Sequence, residues 1–161
     1  MRKQNVLVVT ATVIGLSLLL VGAVLAQESE RRVKMKDLPQ AVQQTVREQS
    51  RGATIKGFSK EIEHGQTFYE VEMKVNGHGK DVLIDPNGAV VEIEEEVALA
   101  SLAPDVRVTI EQNADRGKVR KVEAITKNNA IVAYEAVVQK AGKKSEIKVA
   151  PDGKLLPKDK Q

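Results

Sequence analysis

Alternation of apolar and polar side chains is clearest in the stretch Thr67–Gly77, which reads TFYEVEMKVNG. Positions 69, 71, 73 and 75 hold tyrosine, valine, methionine and valine, whereas Phe68, Glu70, Glu72 and Lys74 occupy the positions between them. Period-two alternation is typical of a strand that buries one face and exposes the other to water. The pattern therefore predicts a half-buried central strand.

Apolar residues at intervals of four predict a helix before this strand. Leu38, Val42 and Val46 share one stripe of such a helix. Stretches rich in glycine and asparagine divide the following residues into antiparallel strands, because these residues accept the backbone conformations of tight turns. The predicted turns are Asn76–Gly79 and Asp85–Gly88.

Proline and glycine positions recur along the chain at an offset of 65 residues, which also maps Tyr69 onto Tyr134. The recurring pairs are Pro39 and Pro104, Gly52 and Gly117, Gly77 and Gly142, Pro86 and Pro151, and Gly88 and Gly153. Agreement in register over a whole segment favours a duplicated unit. We therefore expect an α+β fold of two tandem helix-plus-antiparallel-strand repeats, with the helices packed on one face of the sheet. The expected bounds are 27–36 for a polar leader, 37–96 and 97–157 for the repeats, and 158–161 for a tail.

The N-terminal segment 1–26 has the pattern of a secretory signal peptide. Arg2 and Lys3 precede the apolar run Val6–Val24, and small side chains follow just before Gln27. An uncleaved membrane anchor is the alternative, because roughly 20 apolar residues can also span a bilayer. We expect export to the periplasm or the cell exterior, with cleavage near Ala26 and membrane contact only through this segment if it is retained.

Composition limits the classes of partner. The chain has no cysteine, so its core must hold without disulfides. Its formal net charge of +3 includes Arg2 and Lys3 of the predicted signal peptide, which leaves the remainder nearly neutral. A nearly neutral chain gives little support for nucleic-acid binding, and we expect none.

Three short motifs carry a resemblance to a known family. They are Leu38-Pro39-Gln40-Ala41-Val42, Tyr69-Glu70-Val71-Glu72 and Ile84-Asp85-Pro86-Asn87-Gly88, with Tyr134-Glu135 and Pro151-Asp152-Gly153 as weaker counterparts. The chain resembles PepSY or PepSY-like units, and their tandem arrangement is similar to the beta-lactamase inhibitor protein fold, in which two such units form one curved sheet. The resemblance implies inhibitory, chaperone-like or sensory roles, and it brings no catalytic residues.

Catalytic chemistry has little support in the sequence. The serines have no nucleophile motif around them, and the two histidines, His64 and His78, fall at opposite ends of the central strand, about 30 Å apart. An enzyme, a catalytic residue and a cofactor are therefore not expected. Glu92, Glu94 and Glu96 share one strand face that can bind a cation such as calcium weakly. An acidic connector is the alternative, and we predict no metal site.

The sheet face away from the helices is the remaining candidate for function. Apolar side chains among acidic ones can form an interaction surface. The predicted partner-binding residues are Phe68, Glu70, Glu72, Leu83, Glu135 and Val137. We expect a non-catalytic, exported binding module that inhibits or chaperones another exported protein, such as a peptidase or other hydrolase. The alternatives are a periplasmic sensor of a small ligand or cation, and a structural protein that self-associates.

Overall fold

The computed structural model describes residues 29–157, so the predicted signal peptide and the tail 158–161 lie outside the described part. Eight strands form one antiparallel sheet in which each strand pairs with its neighbours in the chain. The strands are β1 Ser29–Arg32, β2 Thr54–Glu63, β3 Gln66–Val75, β4 His78–Ile84, β5 Val90–Glu96, β6 Lys118–Lys127, β7 Ala130–Lys140 and β8 Lys143–Val149. The α-helices are α1 Gln40–Gln49 and α2 Pro104–Asn113, each preceded by a short 3₁₀ helix, Met35–Asp37 and Leu99–Ser101 respectively.

The prediction of two tandem helix-plus-strand repeats is wrong. Strand β5 pairs directly with β6, which places Ile93 opposite Thr126 and Glu96 opposite Glu123, so the sheet has no break at the predicted boundary. The physical reason is that an unpaired strand edge leaves backbone N–H and C=O groups unsatisfied, and pairing β5 with β6 satisfies them. Pro39 and Pro104 lie at the starts of the two helices, and the other matched prolines and glycines lie in turns that connect the elements of one continuous eight-stranded sheet.

The segment predicted as a polar leader also differs from expectation. Ser29–Arg32 forms strand β1 and pairs with Ser59–Ile62 of β2. Its four side chains are all exposed, so the sequence offers no alternation of apolar and polar residues there. Backbone hydrogen bonding, rather than burial of apolar side chains, attaches this strand to the sheet edge.

Both α-helices pack on the same face of the sheet. Leu38, Val42 and Val46 are buried, as their spacing predicts, and they contact a buried cluster on β3 and β4. That cluster comprises Val71, Met73, Val82 and Ile84. Under α2 the buried cluster comprises Leu102, Val106, Ile110, Ala114, Val122, Ala136, Val138, Ile147 and Val149. Among the described residues, no helix is long and apolar enough to span a membrane.

Threonine hydroxyls tie each helix to a neighbouring turn. Thr45 Oγ1 donates to the carbonyl of Gly88 at 2.6 Å, and Thr109 Oγ1 donates to that of Gly153 at 2.7 Å. Both glycines have positive φ, and a Cβ at Gly88 would lie 2.9 Å from the carbonyl oxygen of Ala41. Glycine therefore allows the turn to approach the helix closely enough for the hydrogen bond.

Candidate functional site

The sheet face opposite α1 and α2, which we call the open face, carries the candidate site. Residues directly opposite one another in an antiparallel pair project to the same face. Glu70 is opposite Ser59 on β2 and Leu83 on β4, and Asp81 is opposite Glu72 on β3 and Glu94 on β5. Because Val71 and Met73 alternate with Glu70 and Glu72 and are buried under α1, these polar partners share the uncovered face.

All six predicted partner-binding residues project from the open face, but they fall into two groups. Phe68, Glu70 and Glu72 lie on β3 beside Leu83 of β4, whereas Glu135 and Val137 lie on β7. Strands β5 and β6 separate the groups, so three strand spacings, about 14 Å in total, lie between β4 and β7. Their role in binding a partner stays a prediction.

The apolar members of that set do not form a common centre. Phe68 is opposite Glu61, and Leu83 lies between Glu70 and Glu92. Val137 lies between Lys121 and Glu146. Each apolar side chain is therefore flanked by charged residues, and the middle of the open face is acidic instead.

Five carboxyl groups, one from each of five neighbouring strands, make up this middle region, which we call the acidic centre. Its members are Glu61 of β2, Glu70 of β3, Asp81 of β4, Glu94 of β5 and Glu123 of β6. Oxygen atoms of Asp81, Glu94 and Glu123 all lie within 4.8 Å of one another. A small cavity of about 100 Å³ opens at Glu61, Glu70, Asp81 and Glu94.

A buried serine joins two of these carboxyl groups. Ser59 is only 1% exposed, and its Oγ lies 2.8 Å from Glu70 Oε2 and 3.2 Å from Glu61 Oε1. Burial, together with the charge of Glu70 and a hydrogen bond to it, raises the pKa of Glu61 to about 8. At neutral pH Glu61 is therefore mostly protonated and can donate that hydrogen bond to Glu70.

Glu94 is perturbed in the same direction. Its burial, followed by the charges of Glu123, Glu92 and Glu135, raises its pKa to about 8. Burial disfavours the ionised carboxylate, and nearby like charges disfavour it further. Much of the acidic centre therefore holds protons near neutral pH rather than full negative charge.

One lysine, Lys121, forms an ion pair with a member of the acidic centre. Lys121 Nζ lies 2.7 Å from Glu123 Oε2, and Glu123 is 3% exposed. Burial by itself disfavours charged Lys121, but the hydrogen bond and charge of Glu123, with Asp81 and Glu94, outweigh it and raise the Lys121 pKa. Burial and the charges of Glu70 and Glu123 raise the pKa of Asp81 to about 6, and Lys121 opposes that rise.

Ion pairs surround the acidic centre without neutralising it. Arg32 pairs with Glu72 at 2.7 Å, and Lys127 pairs with Glu92 at 2.6 Å. Lys148 lies 3.7 Å from Glu135. Within residues 29–157, no ion pair reaches Glu61, Glu70, Asp81 or Glu94. The rim is thus charge-balanced, and the centre retains its acidic character.

The acidic strand β5, which we considered as a weak cation site without predicting one, has its carboxyl groups divided among different partners. Glu92 pairs with Lys127, and Glu96 accepts a hydrogen bond from the backbone N–H of Gly79 at 2.9 Å. Glu94 instead lies beside Asp81 and Glu123, with carboxylate oxygens of the three residues within 4.8 Å of one another. Sequence reasoning missed Asp81 and Glu123. A local signal existed for Asp81, because it shares the outward side of β4 with the predicted residue Leu83. Glu123 had no such signal.

Comparisons with known proteins identify similar folds but do not assign the chain to a family. No family model and no curated protein matches the chain. A candidate periplasmic protein from Bacteroides eggerthii has a similar crystal structure, with a TM-score of 0.60, 18% identity, and coverage of 74% of this chain and 86% of that chain. A BLIP-like protein from Bacteroides fragilis matches with a TM-score of 0.54 and 24% identity, over 74% of this chain and 84% of that chain.

A DUF2874 family protein from Bacteroides ovatus is also similar, with a TM-score of 0.57, 22% identity, and coverage of 74% and 85% of the two chains. These similarities support the resemblance to the beta-lactamase inhibitor protein fold at the level of architecture. The identity of the chain as a set of PepSY-like units is not confirmed.

Proposed function

We propose that this protein is a non-catalytic, exported binding module that captures a cationic segment of another exported protein on its open face. The observation that carries the proposal is the acidic centre, in which Glu70, Asp81 and Glu94 have no ion-pair partner in the described chain. A lysine- or arginine-bearing segment would supply the missing positive charge. We propose that this protein acts as an inhibitor or a chaperone of the protein that it captures.

The chemistry of the acidic centre favours binding over catalysis. It contains carboxyl groups and one lysine, and its serine hydroxyl is buried between two carboxyl groups. Acyl transfer needs a nucleophile that a base can activate and a substrate can reach. Ser59 does not meet the second requirement because it is 1% exposed.

Two observations support the exported location. The sequence has the pattern of a signal peptide at 1–26, and one protein of similar fold is a candidate periplasmic protein.

Proton release is a specific expectation of this mechanism. A cation placed beside Glu61 and Glu94 stabilises their ionised forms and lowers their raised pKa values. Binding of the cationic segment should therefore release protons and strengthen as the pH rises from about 6 to about 8. A partner that contacted only the apolar side chains of the open face would show no such dependence.

The test is calorimetric titration of the full-length chain with a short peptide of alternating lysine and alanine. At pH 8, where Asp81 is ionised and the bound cation favours ionised Glu94, the double variant Asp81→Asn/Glu94→Gln should bind about tenfold more weakly, since each lost charge contributes about 1 kcal/mol or less. The control Glu95→Gln removes a carboxylate that pairs with Lys80 on the helix-covered side, and it should bind normally. Equal affinity of both variants, or equal binding of a glutamate–alanine peptide, would contradict the proposal.

The natural partner requires a second experiment. Affinity capture from the exported fraction should enrich a protein with the native chain and lose it with the Asp81→Asn/Glu94→Gln variant. A Phe68→Ser/Leu83→Ser/Val137→Ser variant tests the apolar part of the predicted surface. If capture is unchanged in both, the open face does not bind the partner.

A divalent-cation sensor is the second candidate function. Asp81, Glu94 and Glu123 offer three oxygen atoms within 4.8 Å of one another, which is a suitable ligand type for calcium. Calcium would compete with Lys121 for Glu123. A rise in melting temperature with added calcium, lost in Asp81→Asn, would favour the sensor, whereas unchanged melting with intact peptide binding would favour the binding module.

A further inference from the structure

A groove lies at the sheet edge where β1 ends and β2 begins, apart from the acidic centre. Its volume is about 560 Å³, which is within the range of small-ligand sites. Residues that continue from the end of β1 form one wall, and residues from the start of β2 form the other. This edge groove is lined by Arg32–Met35 and Ile55–Phe58.

The floor of the edge groove is an apolar extension of the core. Val33, Met35 and Phe58 are partly buried and pack against the buried cluster beneath α1. Ile55 is 39% exposed, although the residue opposite it on β3 is the buried Met73. An apolar ligand in the groove would therefore cover Ile55 and lie against side chains that already contact the core.

The rim of the edge groove is cationic. Lys34 and Lys56 are exposed, and neither makes an ion pair in the part of the chain that the structure describes. Arg32 is the third cation, and Glu72 neutralises it at 2.7 Å. The nearby carboxylate of Asp37 accepts a hydrogen bond from the backbone N–H of Lys34 at 3.3 Å. Two lysine side chains thus stand beside an apolar floor without a carboxylate partner.

We propose that the edge groove binds an anionic amphiphile, with its acyl chain on the Val33–Ile55–Phe58 floor and its carboxylate or phosphate head between Lys34 and Lys56. Charge complementarity selects an anionic head, and the exposed isoleucine beside core side chains selects an alkyl tail. This site has the opposite charge preference to the open face, so its failure and that of the proposed function are distinguishable.

The test is calorimetric titration of the full-length chain with dodecyl phosphate below its critical micelle concentration. The Lys34→Gln/Lys56→Gln double variant should bind about 30-fold more weakly, because each of the two cations near an anionic headgroup contributes about fivefold in affinity. Ile55→Ser should bind about threefold more weakly, and shortening the alkyl chain should cost about two- to fourfold per buried methylene. The matched control Lys118→Gln/Arg120→Gln removes two exposed cations on β6 and should bind as the native chain does.

Because every variant keeps residues 1–28, any binding by that segment is common to all of them and cancels in the comparison. The substituted side chains are exposed, and far-UV circular dichroism with thermal unfolding checks that each variant folds. Equal affinity of the groove and control variants would overturn the proposal. Equal binding of neutral dodecyl maltoside, or full competition by inorganic phosphate at the same concentration, would also overturn it.

Two further arms identify the source of the amphiphile. Dodecanoate in place of dodecyl phosphate tests whether a carboxylate head suffices. Flotation with phosphatidylglycerol vesicles tests a bilayer headgroup, and retention that depends on Lys34 and Lys56 would identify a membrane lipid. Binding of monomeric dodecyl phosphate or dodecanoate, without retention of the protein on vesicles, would identify a free amphiphile as the ligand.

Discussion

The guanidinium of Arg32 on β1 crosses β2 and pairs with the carboxylate of Glu72 on β3, with 2.7 Å between Nη2 and Oε1. It passes over Gly57, which is directly opposite Glu72. A Cβ at position 57 would lie 2.1 Å from Arg32 Nη1. The absence of a side chain on β2 thus lets the edge strand attach to the third strand of the sheet.

Gly57→Ala should displace Arg32 and loosen β1. Arg32 is largely exposed and Glu72 is partly exposed, so the expected loss in free energy of unfolding is about 0.5–1 kcal/mol. Amide hydrogen exchange of residues 29–32 should accelerate more than exchange elsewhere. Arg32→Ala should have a similar effect, and the double variant should be no worse than either single variant, because both remove the same contact. Full additivity would show that Gly57 acts independently of Arg32.

Gly88→Ala should destabilise the fold more than Gly77→Ala. Both glycines have nearly equal positive φ, +90° and +88°, but only Gly88 has a neighbour where a Cβ would project, the carbonyl oxygen of Ala41 at 2.9 Å. The φ strain of about 1–2 kcal/mol is common to both variants. The extra loss for Gly88→Ala, on the order of 1–3 kcal/mol, measures the close packing of the turn on α1. Urea unfolding compares the two, and equal losses would show that the turn can move away from the helix.

Stability should fall as the pH rises from about 5 to about 8. The pKa of Glu94 is raised from 4.5 to about 8 by burial and by Glu123, Glu92 and Glu135, so the native state binds more protons than the unfolded state within that window. The free energy of unfolding therefore decreases with increasing pH there. Below about 4.5 both states are protonated, and above about 8 both are ionised.

Glu94→Gln removes this proton uptake and should raise stability at pH 8 by on the order of 2 kcal/mol, with little effect at pH 4.5. Urea unfolding at both pH values measures the difference. Glu95→Gln is the matched control, because Glu95 is an exposed residue on the neighbouring position of β5. A pH dependence of stability that is identical in native and Glu94→Gln proteins would refute the assignment to Glu94.

Lys121→Met should destabilise the protein and further raise the pKa of Asp81. Glu123 is 3% exposed and depends on Lys121 for its ion pair, so removing the lysine leaves a buried carboxylate without its cation. The expected cost is on the order of 2 kcal/mol, less than for a fully buried pair because Lys121 is itself partly exposed. Lys140→Met, which breaks the exposed pair with Asp115, should cost about 0.5 kcal/mol or less. Carboxyl NMR titration follows Asp81, and an unchanged titration would show that Lys121 does not act on it.

Local patterns in the sequence correctly predicted which side chains face the core. Alternation along Thr67–Gly77 placed Val71 and Met73 inward and Glu70 outward, because successive side chains of a strand project to opposite faces. The spacing of four residues likewise predicted the buried stripe of α1. These features depend only on residues close together in the chain, so the sequence suffices for them.

Only the tertiary structure decided how the strands combine. Asp81, Glu94 and Glu123 belong to β4, β5 and β6, and α2 intervenes in the chain between the last two strands. Their meeting depends on strand order and register, which turns and side-chain packing across the whole sheet set together, so no single stretch of sequence predicts it. For the same reason, regular spacing of prolines and glycines suggested two tandem helix-plus-strand repeats, whereas pairing of β5 with β6 shows one eight-stranded sheet with one acidic centre.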